Sequence, residues 1–175
     1  MTRRILLVSH ANRPELPAVA TEVAGRLRAH GIEVHELEQG WDSLEDDPGV
    51  AELAAGAELV ATLGGDGTIL RAAEVSRRAG IPLLGINHGR VGFLAEAERE
   101  ETAQVVERIV ARDYTVEERM TLEVDVYEDG HRVAHTWALN EASVEKSARE
   151  RMLELTVEID GRPLSTWGCD GVVVA

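Results

Sequence analysis

The sequence predicts an α/β protein in two parts: a Rossmann-like parallel-sheet domain over residues 1–114, then an all-β, sandwich-like domain over 115–175. Three observations carry this. Apolar runs alternate with stretches of helical period as far as Ala111, the pattern of βαβ units and a parallel sheet. From Leu122 onward the period changes to strict alternation, with no helical stretch to interrupt it. Two glycine clusters, at 64–68 and 87–92, each follow an apolar run. Both therefore fall at the carboxyl edge of the sheet, where folds of this kind bind ligands.

Taken in order, Arg4 to Ser9 reads as a buried first strand and His10 to Pro14 as a loop. Leu16, Val19, Ala20, Val23, Ala24 and Leu27 recur at helical spacing, and Gly31 closes that helix. Ile32, Val34 and Leu37 mark a second strand, and the acidic run from Glu38 to Pro48 a solvated loop. A short helix over Val50 to Ala55 precedes the strand that enters the first glycine cluster. The next helix runs from Thr68 to Ala79 and is ended by Gly80 and Pro82. Pro82 to Ile86 is a strand leading into the second cluster, in which Phe93 and Leu94 read as packing residues. His10 and His88 read as ordinary loop histidines. Thr102, Val105, Val106, Ile109 and Val110 predict one more helix over 100–111. Beyond the boundary near Tyr114, Asp129-Gly130 and Asp160-Gly161 are hairpin turns between alternating runs. About five strands are expected there, the last over Gly171 to Val174, so the β domain reads as unfinished.

Eighteen basic and thirty-two acidic residues give a net charge of −14. Such a surface repels nucleic acid and anionic membrane, so neither is an expected partner. An anionic substrate must instead meet local arginines, because Lys146 is the one lysine in the chain. The single cysteine, Cys169, rules out an intrachain disulfide. No apolar run approaches membrane-spanning length, and Met1 to Arg4 leads into a short strand rather than the apolar region of a signal peptide. A cytoplasmic location is the expectation.

The stretch from Leu59 to Arg71 carries the chemistry. Three glycines surround one aspartate between a strand and a helix, in Gly64-Gly65-Asp66-Gly67-Thr68. Backbone N–H groups at a helix start suit a phosphate, and glycine lets the phosphate approach without a Cβ in the way. A carboxylate should repel that phosphate, so Asp66 points to chemistry on a hydroxyl as well. The Walker pattern is excluded because no Gly-Lys pair exists, and the dinucleotide fingerprint because Leu70 stands where a small residue is needed. Read alone, the loop is either such a site or a tight turn in which Asp66 or Thr68 caps the helix.

This loop resembles the signature of the NAD kinases, and three further blocks fit that family in order. Asn87-His88-Gly89-Arg90-Val91-Gly92-Phe93-Leu94 resembles its Asn-x-Gly-x-x-Gly-Phe-Leu block, and Leu139-Asn140-Glu141 its Asn-Glu pair after a strand. Asp170 to Ala175 resembles the start of the fourth block, which in the family runs on into a Thr-Ala-Tyr stretch beyond the last residue here. The resemblance implies transfer of the terminal phosphoryl group of ATP, or of polyphosphate, to the 2′-hydroxyl of the adenosine ribose of NAD. It implies Asp66 as the catalytic base, and NAD contacts from Asp66, Gly67, Arg71, Asn140, Glu141, Arg151 and Asp170. Gly64, Gly65, Gly67 and Thr68 would hold the donor phosphates. Mg2+ is expected with the nucleotide, with no protein metal-ligand cluster, and the family forms homodimers and homotetramers. Two other classes stay open. One is a lipid or sugar kinase with the same loop, against which −14 argues for a membrane substrate. The other is a non-catalytic NAD sensor.

Overall fold

The computed structural model describes residues 2–10, 13–39, 48–89, 92–147 and 152–175, and divides the chain into two units, 1–116 and 117–175. The first unit is built on β1 (Arg4–His10), α1 (Leu16–Ala29), β2 (Glu33–Gln39), α2 (Pro48–Ala55), β3 (Leu59–Gly64), α3 (Asp66–Ala79), β4 (Leu83–Asn87), β5 (Ala97–Glu98) and α4 (Thr102–Ala111). Its strands form one parallel sheet in the order β2-β1-β3-β4-β5. Consecutive strands run outward from β1 to β2, then the chain crosses back to β3. The direction of winding therefore reverses between β1 and β3, and in doubly wound sheets that reversal opens a crevice at the carboxyl ends of the strands.

The β1 and β3 strands are continuous apolar runs because helices cover both faces of the sheet. On one side Ile5, Leu7, Leu59, Ala61 and Leu63 pack with Leu16, Val23 and Leu27 of α1 and Val106 and Ile109 of α4. On the other, Leu6, Val8 and Val60 pack with Val50 and Ala54 of α2 and Ala72 and Val75 of α3. The α1 helix takes Pro17 in its first turn, where the missing N–H costs nothing. The α3 helix ends on Gly80 at φ 64°, a left-handed cap that glycine adopts without strain. No helix among the described residues is long and apolar enough to cross a membrane.

Three expectations are corrected. The α3 helix begins at Asp66, not Thr68, which puts the aspartate inside the first turn. The helix expected from 100 begins with a 3-10 turn, Arg99–Glu101, held by a capping box between Glu98 and Glu101. The two-residue strand β5 has no counterpart in the reading, since two residues carry no period.

The second unit contains β6 (Leu122–Glu128), β7 (His131–Ala138), β8 (Ala142–Glu145), β9 (Leu153–Ile159), β10 (Arg162–Cys169) and β11 (Gly171–Val174). These six strands replace the expected five, the short β8 being the addition. They pair antiparallel as β6-β7, β9-β10 and β8-β11. Both predicted hairpin turns form, with Asp129, Gly130, Asp160 and Gly161 all at positive φ, between 49° and 77°. That is the primed geometry that Asp-Gly favours. No described residue of this unit is buried.

In the first unit, Arg3 clamps the start of β3 to the end of α4. Its guanidinium makes a two-pronged bond to Glu58 at 2.7 Å and donates to the carbonyls of Ile109 and Val110. Tyr114 and Arg112 donate to the same carboxylate. The Arg3 bonds are the main cause that holds Glu58 at about 2 rather than 4.5, against the opposing effect of burial. A depressed carboxylate contributes stability above its unfolded value and loses it as pH falls through its folded one, here about 3 kcal/mol, lost from near pH 4.5 down to pH 2. Urea midpoints measured from pH 7 to pH 2.5 should show this acid limb in the native protein. In Glu58→Gln that part of the limb should be missing and stability at pH 7 lower.

Candidate active site

The first glycine cluster forms the junction of β3 and α3. Gly64 ends the strand, Gly65 is the N-cap with extended backbone (φ −108°, ψ −172°), and no side chain caps the helix. Asp66 is thus not a cap. Its Oδ1 accepts the N–H of Leu94 at 3.1 Å, and its Oδ2 that of Phe93 at 3.3 Å. The carboxylate ties the first glycine turn to the second. The N–H of His88 makes a parallel tie to the carbonyl of Gly64 at 2.7 Å.

The glycines divide by cause. A Cβ on Gly64 would come within 2.7 Å of Thr68 Cβ, because Thr68 is buried behind it. A Cβ on Gly92 would come within 2.6 Å of Asn87 Cγ. These two are glycine because the turns are packed. Gly65 is different: its φ is ordinary, and its nearest neighbour would be Gly89 Cα at 3.8 Å. Gly67 faces open space, with nothing within 4 Å. Neither the backbone nor the packing of this unit requires glycine at 65 or 67. What their bareness leaves is access to the first N–H groups of α3.

The second turn is held by Asn87, whose Oδ1 accepts from Gly89 N at 2.8 Å and whose Nδ2 donates to Glu98 at 2.9 Å. Two expectations fail here. Phe93 does not pack: its side chain is 86% exposed, and its N–H is what the fold uses. His88 lies in the loop after β4 but is not an ordinary loop histidine: it is buried, 7% exposed. Thr102 gives its hydroxyl proton to Arg99, so the ring nitrogen facing it at 3.3 Å, Nε2, is the donor in that contact. Nδ1 is left buried without a partner among the described residues. Burial, reinforced by the charge of Arg99, pushes this histidine below its usual value, so it is neutral at physiological pH. The His88 carbonyl accepts from the guanidinium of Arg13, which follows β1. Arg13 is the residue here that sequence reasoning passed over, and Phe93 the one it assigned to packing. The signal for Arg13 was an arginine three residues past a buried strand in an acidic chain.

Of the expected site residues, Asp66, Gly67 and Arg71 come together on the first two turns of α3, with Arg71 half-buried. In the second unit, Asn140 and Glu141 are exposed in the link between β7 and β8. Asp170 stands between β10 and β11, where Lys146 pairs with it through both side chain and backbone. In the β8-β11 ladder Ala142 faces Val174 and Gly171 faces Glu145. The Asn140-Glu141 link and Asp170 are therefore at opposite ends of a four-residue ladder, about 13 Å at the usual rise per residue. Arg151 lies outside the described residues. Among the described residues no group of three His, Cys, Asp or Glu side chains could hold a metal ion.

The family model for the ATP-NAD kinase N-terminal domain matches residues 5–114, well over half of the chain. The chain belongs to the NAD kinase family. Family members among its relatives include the NAD kinase of Thermobifida fusca, 50% identical over 99% of this chain and 57% of that protein. The NAD kinase of Leifsonia xyli subsp. xyli is also 50% identical, over 99% of this chain and 60% of its own length. The chain thus spans somewhat more than half the length of these NAD kinases. A crystal structure of yeast NADH kinase complexed with NADH superposes with a TM-score of 0.78 over 98% of this chain and 56% of that one, at 22% identity. The NAD kinase fold is therefore shared across a wide divergence of sequence.

The two kinds of glycine separate in a stability measurement. Gly64→Ala forces Thr68 out of its place and should cost about 1–3 kcal/mol of overpacking. Gly67→Ala removes a helical glycine without a clash and should gain up to about 1 kcal/mol. Thermal melts of the two variants should move in opposite directions. A fall in both would show that Gly67 is held by packing after all.

Proposed function

We propose that the full-length protein is an NAD kinase acting on the 2′-hydroxyl of the adenosine ribose of NAD, with ATP or polyphosphate as donor. The observation that carries this reading is Asp66, a carboxylate set in the first turn of α3 between two glycines whose bareness the fold does not demand. In the reaction the 2′-oxygen attacks the terminal phosphorus, and the bond from that phosphorus to its bridging oxygen breaks. The hydroxyl proton passes to Asp66, and ADP or the shortened polyphosphate leaves. Each Asp66 oxygen accepts one long backbone bond and keeps a further lone pair for that proton. The N–H groups that begin α3 hold the donor phosphates. Mg2+, bound mainly by those phosphates, supplies charge neutralisation when present. The curated NAD kinases at 50% identity support the same activity.

NAD lies with its adenosine end at Asn140 and Glu141 and its nicotinamide end at Asp170, and the spacing of the two links along β8-β11 suits a dinucleotide. Arg71 and Arg151 complete its contacts. A cytoplasmic homo-oligomer, dimer or tetramer, belongs to the same reading.

A second role for Asp66 has an observation of its own. Because both oxygens accept N–H groups, Asp66→Asn turns an amide NH2 against a backbone N–H, and the exchange is not silent for the fold. The variant should melt a few degrees lower. If Asp66 is the base, kcat falls by roughly 100- to 10,000-fold while KM for NAD stays near its native value. If Asp66 only clamps the second turn, KM for NAD rises and kcat stays within threefold. Full kinetics on that variant decide between the roles. Separately, Asn140→Ala and Glu141→Ala should each raise KM for NAD roughly tenfold or more, with the donor KM unmoved, as expected for a lost bond to a charged or polar partner. Native NAD kinetics in both variants would remove that link from the site.

A further inference from the structure

Arg13 spans the crevice. It lies three residues beyond His10, the end of β1, and its guanidinium donates to the carbonyl of His88, one residue beyond the end of β4. The strand between β1 and β4 is β3, so the arginine crosses the carboxyl end of β3, where Gly64 stops and the first glycine turn begins. That end is also the reversal point of the sheet.

Arg13 keeps an unpaired charge, among the described residues, in a strongly acidic chain. Carboxylates outnumber bases by thirty-two to eighteen, and other arginines pair with them: Arg3 and Arg112 with Glu58, Arg4 with Glu33, Arg26 with Glu22, Arg28 with Glu36. Among the described residues Arg13 makes no ion pair, and its side chain makes one hydrogen bond, to a neutral carbonyl. A guanidinium has five N–H donors. The carbonyl holds the fork in place and leaves most of those donors, and the whole charge, unspent.

We propose that Arg13 binds the phosphate chain of the phosphoryl donor at the end of β3. The inference rests on the kinase reading, and it adds to Arg71 of α3 a further positive charge for a loop of backbone N–H groups and one carboxylate. The chemistry recognised is a linear polyphosphate, which ATP and inorganic polyphosphate share. The proposed NAD contacts, Asn140, Glu141 and Asp170 with Arg71 and Arg151, do not include Arg13. The donor is the anion that must reach Asp66 from the glycine turn. A planar fork suits two phosphate oxygens at once, which an ammonium does not reproduce.

The test uses the full-length protein and the variants Arg13→Ala and Arg13→Lys. In steady-state kinetics, Arg13→Ala raises KM for ATP and for polyphosphate alike, by about 10- to 100-fold, and KM for NAD stays within twofold. Arg13→Lys restores part of the loss. Calorimetric binding of tripolyphosphate, with no NAD present, weakens to the same degree. The binding arm reads Arg13 whether or not the protein turns over: absent NADP formation with Arg13-dependent tripolyphosphate binding removes the kinase reading alone. Three results overturn the proposal. One is unchanged tripolyphosphate affinity in Arg13→Ala. Another is a loss for ATP with none for polyphosphate, which would place the contact on the nucleoside. The third is an equal rise in both KM values with a lowered melting temperature, which would make Arg13 a brace for the His88 loop.

Discussion

The carboxyl edge of the first unit depends on one constraint: the turn after β3 and the turn after β4 must sit against each other. Adjacent parallel strands bring the two ends within reach, but turns do not dock unless their backbone polar groups find partners. Three N–H groups of the second turn solve this. His88 donates to the Gly64 carbonyl, and Phe93 and Leu94 donate to the two oxygens of Asp66. The rest follows from that contact. Gly64 has no side chain because Thr68 must fold behind it, and Gly92 has none because Asn87 must reach Gly89 and Glu98. His88 is buried because its backbone is held at the junction from both sides. The same carboxylate that organises the two turns is the one proposed as base, so the group that reacts is also the one that aligns its own surroundings.

How much of this was legible in the sequence depends on the range of the cause. The continuous runs of β1 and β3 were legible because burial on both faces leaves no polar position, and the Asp-Gly hairpins because their turn type is written in two residues. The doubly wound order β2-β1-β3 was not, since periodicity says that strands are parallel and nothing about which are neighbours. The α3 helix starts two residues before Thr68 although Gly67 is a weak helix former, because the contacts of Asp66 with Phe93 and Leu94 hold its first turn. The strand β8 was missed because its four residues, bounded by Glu141 and Lys146, show no clear alternation. The role of Phe93 was misread for a deeper reason: an aromatic residue suggests packing, while here its backbone N–H is what the fold uses and the ring is left to solvent. No local pattern announces a bond between residues 27 positions apart.

The two units are stabilised differently. In the first, two apolar layers close over a parallel sheet, and Glu58 gathers Arg3, Arg112 and Tyr114 at the opposite end from the glycine turns. The second is a set of two-stranded ladders fixed by turn chemistry, cross-strand pairs such as Thr156 with Thr166, and the Lys146–Asp170 pair, with no buried residue among those described. Two-stranded ladders of this kind are marginal in water without a covered face. Their apolar side chains, Val126, Ile159, Leu164, Trp167 and Val173 among them, are exposed within the unit. Asn140, Glu141 and Asp170, proposed to contact NAD, stand on the links between strands rather than within them, which is where a ladder can present a polar side chain without disturbing its hydrogen bonds.

A chain of net charge −14 that is proposed to bind a polyphosphate donor faces an electrostatic problem, and the groups at the end of β3 bear on it. At physiological ionic strength, charges more than about 8 Å away are largely screened, so the distant carboxylates matter little and the near groups decide. Two carboxylates beside the turns are occupied: Asp66 by two backbone N–H groups, and Glu98 by Asn87 and its capping box. Each such bond draws negative potential inward and away from the crevice. The groups left there are the N–H dipoles that begin α3, presented by glycines, and Arg13, which among the described residues makes no ion pair. The sign of the whole chain and the sign of its binding edge are thus set independently. The first comes from composition, and the second from which charged side chains the fold has already satisfied.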